Sequence, residues 1–265
     1  MTKQDSPDEK RAAVRSVYGS IAAEAQTGCG CGCSCADNAT PSAETLASAM
    51  GYSGAEIAGA PAGANLGLGC GNPHAIASLR PGETVVDLGA GAGFDCFLAA
   101  RQVGESGRVI GVDMTPEMVE RARENAREIG ATNVDFRLGE IEHLPVADES
   151  ADVILSNCVI NLSPDKPQVF RDAFRVLRSG GRLAVADIVA LKPMPRELEE
   201  NMAAYTGCVS GAATQEELEG MLADTGFVDV DIRPHEGSRT LVREFFPGSG
   251  FEDYVTSALI EARKP

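Results

Sequence analysis

A chain of 265 residues, 43% hydrophobic and 23% charged, has the make-up of an ordinary globular protein: one large domain, or one domain with attachments. Its formal charge of −16 repels nucleic acid and anionic membranes, whose binding rests on Lys and Arg, so neither is expected as a partner. The same charge fits small-molecule chemistry and, equally well, an acidic salt-adapted proteome.

No run of about 18 apolar residues occurs, so no membrane span is expected. The first residues, "MTKQDSPDEKRAAVRS", lack the apolar stretch of a secretory signal. A cytoplasmic monomer is the expectation. In that compartment the eight cysteines stay reduced and serve as ligands or nucleophiles rather than as disulfides.

Taken in chain order, the region before residue 80 is rich in Gly, Ala and Ser, with helices expected over 8–25 and 42–51. Between them "TGCGCGCSCAD" places Cys29, Cys31, Cys33 and Cys35 within seven residues. Alternating Gly and Cys does not hold a helix, because each Gly costs about 1 kcal/mol against Ala, so a loop is expected here. "GAPAGANLGLGCGNP", residues 59–73, is a second glycine-rich loop and carries Cys70. From residue 81 the pattern becomes regular. "ETVVDLGAGAGFDCFLAARQV" reads as a buried strand, a glycine turn and a helix. "GRVIGVDM" is a second strand. "TPEMVERARENAREIG" is a helix with Thr115 as N-cap, Pro116 at its first position and Gly130 at its close.

"NVDFRLGE" is a third strand and "ADVILSNCVINL" a fourth. "PDKPQVFRDAFRVLRSGG" reads as a helix stopped by its glycines, and "GRLAVADI" as a fifth strand. "PRELEENMAAYTG" and "TQEELEGMLADTG" follow as helices, the second with Thr214 and Glu217 at capping-box spacing. "FVDVDIRP" and "DYVTSALIEARK" alternate as strands do and extend the sheet to seven. The fold class expected is α/β, a doubly wound, mostly parallel seven-stranded sheet with a small N-terminal helical and loop extension.

The turn "VVDLGAGAG", residues 85–93, brings Asp87, Gly89, Gly91 and Gly93 to a strand–helix junction. There, free N–H groups and absent side chains admit a ligand. A tight turn without ligand has the same glycines, so spacing matters. Asp113 ends the second strand about 20 residues on, where a carboxylate meets the ribose hydroxyls of a nucleoside cofactor. A nicotinamide-dinucleotide enzyme shares both features. Asp87 inside the strand end, the acidic segment "GEIEHLP" after the third strand, and two further strands after a long excursion tilt the reading away from it.

Together these features resemble the class I S-adenosylmethionine-dependent methyltransferases over residues 80–265. The resemblance implies that Asp87, Gly89, Gly91 and Gly93 meet the methionine portion of the cofactor. It implies that Asp113, with Met114, holds the ribose, that Ile141 and Glu142 frame the adenine, and that Asn157 joins the cofactor residues.

The acceptor is not named by such a fold, and the scattered cysteines bear on it. Cys158 follows the fourth strand, at the end of the sheet that forms the ligand crevice. Cys208 lies in the excursion after the fifth strand, and Cys70 in the loop before the first, so three distant thiols converge over one crevice. Cys96, beside Phe94, Phe97 and Leu98, reads as a small core residue. His74, His143 and His235 stand isolated and read as surface or loop residues.

"SNCVINLSPDK", "FRVLRSGGRL", "TGCVSGA", "VDLGAGAGFDC", "GVDMT" and "LGCGNP" closely resemble the arsenite methyltransferases, from about Tyr18 to the C-terminus. The resemblance implies that Cys70, Cys158 and Cys208 bind arsenic(III) as substrate, with one N-terminal cysteine, Cys29 or Cys31, belonging to the catalytic thiol set. It implies S-adenosylmethionine as cosubstrate, arsenite and methylated trivalent arsenicals as ligands, and a thiol-reducing system such as thioredoxin or glutathione. It divides the chain into an extension (1–79), a cofactor domain (80–190) and an arsenic-site and sheet-completing region (191–265).

Many relatives carry aromatic residues before the first-loop cysteine, where Leu66 and Leu68 stand here. Soft thiolates suit soft arsenic, and lowered thiol pKa values are expected to help load it. Two rivals remain at this point. One is a methyltransferase of an organic acceptor with structural cysteines; the other is a thiol-rich metal-binding protein. The close spacing of the cluster at 29–35, without the usual two-residue gap between cysteines, argues against a zinc ribbon.

Overall fold

A computed structural model describes residues 6–26, 41–245 and 248–265. Cys29, Cys31, Cys33 and Cys35 lie outside the described residues. The chain runs α1 (Pro7–Gln26), α2 (Ala43–Ala49), α3 (Gly54–Gly59), α4 (His74–Ala77), β1 (Thr84–Leu88), α5 (Phe94–Val103), β2 (Arg108–Asp113), α6 (Pro116–Glu128) and β3 (Val134–Leu138). It continues through β4 (Ala151–Asn157), α7 (Lys166–Val176), β5 (Leu177–Ala190), α8 (Arg196–Glu199), α9 (Met202–Thr206), α10 (Gln215–Thr225), β6 (Val228–His235), α11 (Arg239–Phe245) and β7 (Val255–Arg263).

The strands form one seven-stranded sheet in the order β3-β2-β1-β4-β5-β7-β6, parallel except at β7, which runs antiparallel to β5 and β6. The doubly wound α/β sheet anticipated from the strand–helix alternation is therefore present. Side chains alternate across β1, so that Val85 faces one apolar layer and Val86 and Leu88 the other. Val85 packs with Phe97, Val119 and Phe136 under α5 and α6; Val86 packs with Ile154, Phe170 and Leu222 under α7 and α10. With no tryptophan, the large buried side chains are mainly Phe, Leu and Ile.

Local signals hold where they are strong. The Thr214–Glu217 capping box forms in both directions. Thr115 occupies the N-cap of α6 with Pro116 behind it, but its side chain makes no cap bond. Two boundaries differ from the sequence reading. The helix over 164–181 ends at Val176, and β5 starts at once with Leu177 opposite Ala151. After a bulge, Arg182 pairs with Val153, and Gly180 at φ +80° makes the bend. The fourth strand stops at Asn157 instead of running to 162, because Cys158 takes φ +57° and the chain passes into a 3-10 turn at Ile160–Leu162. Among the described residues no helix is long and apolar enough to cross a membrane.

Candidate active site

β1 ends in the glycine turn, and the chain doubles back into α5. Gly89 has φ +68°, and a Cβ there would stand 2.5 Å from Val159. Gly91, at φ +52°, would point a Cβ into open space. That space is a cavity of about 400 Å³ over the C-terminal ends of the strands, within the range of small-molecule sites. Asp87, Gly89, Gly91, Asp113, Met114, Ile141, Glu142 and Asn157 all line it. Gly93 does not; it begins α5 at φ +95°, where a Cβ would collide with Phe97 and Phe136, so its requirement is packing.

Asp113, at the end of β2, accepts the Gly91 N–H at 2.9 Å and the Thr115 N–H at 2.8 Å. Burial pushes its carboxyl up, and these backbone donors oppose the rise. The carboxylate is thus fixed beside the glycine turn. Glu142 is buried rather than solvated: it accepts Ser163 Oγ at 2.7 Å and pairs with Arg11 at 3.1 Å. Arg11 and Arg15 also reach Glu140. These pairs strap α1 over the cavity, where Val14, Tyr18 and Ile21 form part of its lining. The strap was missed from the sequence, since 131 residues separate Arg11 from Glu142.

The anticipated thiols meet at the wall of this cavity. Cys158 and Cys208 line it, and Cys70 lies behind Cys158 against the 188–212 segment. Cys158 neighbours both Cys70 and Cys208. The ligand atoms of Cys70, Cys158 and Asp187 fall within 4.8 Å of one another. Cys208 stands outside that group, its thiol donating to the Cys158 carbonyl at 2.6 Å.

Cys158 and Cys208 take φ values of +57° and +65°, a region in which a side chain costs about 1–3 kcal/mol. Such strain persists where surrounding contacts over-determine the backbone, and here the Cys158 N–H is held by the Ala186 carbonyl at 2.8 Å. Asn157 is occupied with the Cys70 loop. Its Oδ1 accepts the Cys70 N–H at 3.0 Å, and its amide donates to the Gly71 carbonyl, to Tyr52 and to Asp95. Its side chain thus positions a thiol loop at the edge of the cavity. Of the other cysteines, Cys96 is a fully buried core residue whose thiol donates to Asp87 at 3.2 Å.

Three corrections follow from this geometry. The thiol pKa values are raised, not lowered. Burial pushes Cys70 up to about 12. Hydrogen bonding with Cys208 acts to lower Cys158, but its contact with Cys70 and its burial outweigh that. Cys208 is raised by Cys158 first and burial second. Second, His74 is not a surface residue; it is buried, 3.2 Å from Asp95 and 3.2 Å from Gln102. His143 and His235 are exposed. Third, Asp187 was overlooked. It is buried on β5, accepts Ile160 N–H at 3.0 Å and Asn161 Nδ2 at 2.9 Å, and burial raises it to about 6. The signal was available as one acid inside the apolar run "LAVADIVA".

The raised thiols set a pH dependence. An acid whose folded pKa lies above its unfolded value stabilises the fold fully below the unfolded pKa and loses that contribution as pH rises through the folded one. The unliganded protein is therefore expected to lose stability progressively from pH 9 toward 12, the span from the ordinary thiol value to that of Cys70. Urea denaturation across that range checks it. In a variant with Ser at 70, 158 and 208 the alkaline loss should shrink.

The chain matches the family described as "Methyltransferase domain" over residues 79–226. It is 50% identical to an arsenite methyltransferase of Halobacterium salinarum, an alignment covering 100% of this chain and 69% of that protein. It is 44% identical to an arsenite methyltransferase of Aquipseudomonas alcaligenes over 57% of this chain, spanning 46% of that relative. Its fold superposes on the crystal structure of an arsenic(III) S-adenosylmethionine methyltransferase from Chlamydomonas reinhardtii with TM-score 0.64 and 30% identity, covering 86% of this chain and 75% of that one. By motif, sheet order and full-length similarity, the chain belongs to the arsenite methyltransferase family.

Proposed function

We propose that this chain transfers a methyl group from S-adenosylmethionine to arsenic(III) held by Cys70, Cys158 and Cys208. The observation that carries the reading is the convergence of three cysteines, distant in sequence, with Cys158 and Cys208 in the wall of the glycine-lined cavity and Cys70 beside Cys158. The likeness to named arsenite methyltransferases supports it. The lining supports the cofactor there: Gly91 leaves backbone open to it, Asp113 offers a fixed carboxylate to a ribose diol, and Ile141 and Glu142 line the wall available to an adenine. Bound there, S-adenosylmethionine supplies an electrophilic methyl group on its sulfonium.

The protonated thiols suit loading of arsenite. Each As–OH departs as water with one thiol proton, so three thiols and As(OH)₃ give three As–S bonds and three waters. Arsenic then keeps one lone pair, which is the nucleophile. It carries no proton, so no general base is required. The protein contributes alignment, which can supply roughly 7–11 kcal/mol of a barrier.

Methyl transfer raises arsenic formally by two electrons. Two thiolate sulfurs leaving as a disulfide return them, and the product is a methylated arsenic(III) species. Two equivalents of an external thiol, from glutathione or a thioredoxin, then reduce that disulfide. Cys29 or Cys31 serves as exchange partner in this cycle.

Incubating the reduced protein with S-adenosylmethionine, arsenite and thiol should yield mono- and dimethylated arsenic by mass spectrometry. Without thiol it should stop after about one turnover, and serine at 29, 31, 33 and 35 should give the same arrest. No methylated arsenic, with the cofactor bound and thiol present, would rule the reading out in favour of an organic acceptor.

A further inference from the structure

α1 does more than cover the cofactor cavity. On it, Tyr18 is half-buried and packs among Cys208, Cys158, Met114 and Val159, touching both the thiol end and the cofactor side of the cavity. Its hydroxyl donates to the Thr206 carbonyl at 3.2 Å, long for an O–H···O bond and correspondingly weak. Thr206 and Cys208 belong to the same turn at the end of α9. Val14 and Leu162 are among the apolar side chains packed around Cys208.

In the unloaded site the Cys208 thiol is itself a donor, spent on the Cys158 carbonyl. Arsenic removes that proton as water. The Cys208 sulfur then becomes an acceptor only, and it must leave the Cys158 carbonyl to join Cys70 and Cys158.

We propose that Tyr18 is the positioning residue for this third thiolate. When arsenic loads, its hydroxyl passes from the Thr206 carbonyl to the Cys208 sulfur, and so couples arsenic binding to the seating of α1 over the cofactor. The inference rests on the arsenic reading above. Because α1 also carries Arg11, paired with Glu142, and Val14 and Ile21 in the cavity wall, fixing Tyr18 steadies the cofactor roof. Coupling of this kind is reciprocal: arsenic tightens cofactor binding by the factor that cofactor tightens arsenic binding.

The test is Tyr18→Phe in the full chain, which keeps the ring packing and removes only the hydroxyl. Arsenite is titrated without cofactor, following the near-ultraviolet absorbance of arsenic–thiolate bonds. The dissociation constant is expected to rise about two- to tenfold, the usual range for the net loss of one hydrogen bond to an uncharged acceptor. Repeating the comparison in Cys208→Ser should abolish the difference, because the group through which Tyr18 acts is gone.

With S-adenosylhomocysteine as an unreactive probe, arsenite should tighten its binding to the wild type and not to Tyr18→Phe. Unchanged arsenite affinity in Tyr18→Phe overturns the proposal. So does an equal loss in the Cys208→Ser background, which marks a purely structural effect. An absence of the arsenic–thiolate band in the wild type instead removes the arsenic reading on which the proposal stands.

Discussion

Serine at position 158 or 208 is expected to bring arsenite methylation down to the uncatalysed level while leaving cofactor affinity within about twofold of the wild type. The size of the effect comes from the chemistry of the ligand. Serine oxygen is a hard donor that does not replace thiolate on soft arsenic. With one of three sulfur ligands gone, arsenic is held more weakly, by the two remaining sulfurs, and is no longer aimed along the cavity. The fold should survive. In Cys208→Ser the hydroxyl can still donate to the Cys158 carbonyl that the thiol now occupies at 2.6 Å, and the left-handed backbone at 158 and 208 is unchanged. A stability change of about 1 kcal/mol or less is expected from so close an isostere. Product analysis, calorimetry with S-adenosylhomocysteine and thermal denaturation on the same samples check all three. Loss of cofactor binding in either variant would mean that these cysteines belong to the cofactor wall and not to the acceptor.

The second large effect is expected at Asp113, in the opposite compartment. Its carboxylate accepts two backbone N–H groups, from Gly91 and Thr115, and presents its remaining lone pairs to the cavity. Asp113→Asn keeps the volume, but the amide accepts through one oxygen only and turns an NH₂ toward a backbone donor. Charge-assisted bonds to a ribose diol, worth about 1.5–3 kcal/mol each, are weakened together with the turn that carries Gly91. Cofactor affinity should fall roughly 100-fold, corresponding to about 2.7 kcal/mol. The arsenic–thiolate absorbance should stay as in the wild type, because none of the three thiols touches Asp113. If calorimetry finds cofactor affinity within about threefold of the wild type, some group other than this carboxylate anchors the ribose.

These two expectations separate what a thiol site and a cofactor site each need. The rivals left open by the sequence are separated as well. A thiol-rich sequestering protein needs no intact cradle, yet Gly89, Gly91 and Asp113 are shaped into one. A methyltransferase of an organic acceptor has no use for three thiols brought together beside a buried Asp187.

Much of this was legible in the amino-acid sequence because its causes are local. The run "VVDLGAGAG" announces a buried strand and a turn needing positive φ, and Gly89, Gly91 and Gly93 all adopt it. Thr214 and Glu217 announce their capping box across three residues. The place of Cys158 at the crevice follows from a general rule, since segments at the C-terminal ends of parallel strands share one crevice.

What lay beyond reach depends on contacts that no short window contains. Helix α7 gives way to β5 at Leu177 because β4 and β7 pair with that segment from both sides. Tyr18 meets Thr206 across 188 residues. The thiols shift upward because they press against one another and are buried together, and both are properties of the assembled fold. The sequence by itself determined which side chains carry chemistry and roughly where the sheet puts them. Only the tertiary structure decided how α1 roofs the cavity, which carbonyl the Cys208 thiol meets, and in which direction each thiol pKa shifts. Those depend on distance and solvent exclusion, and neither exists until the sheet has closed around the site.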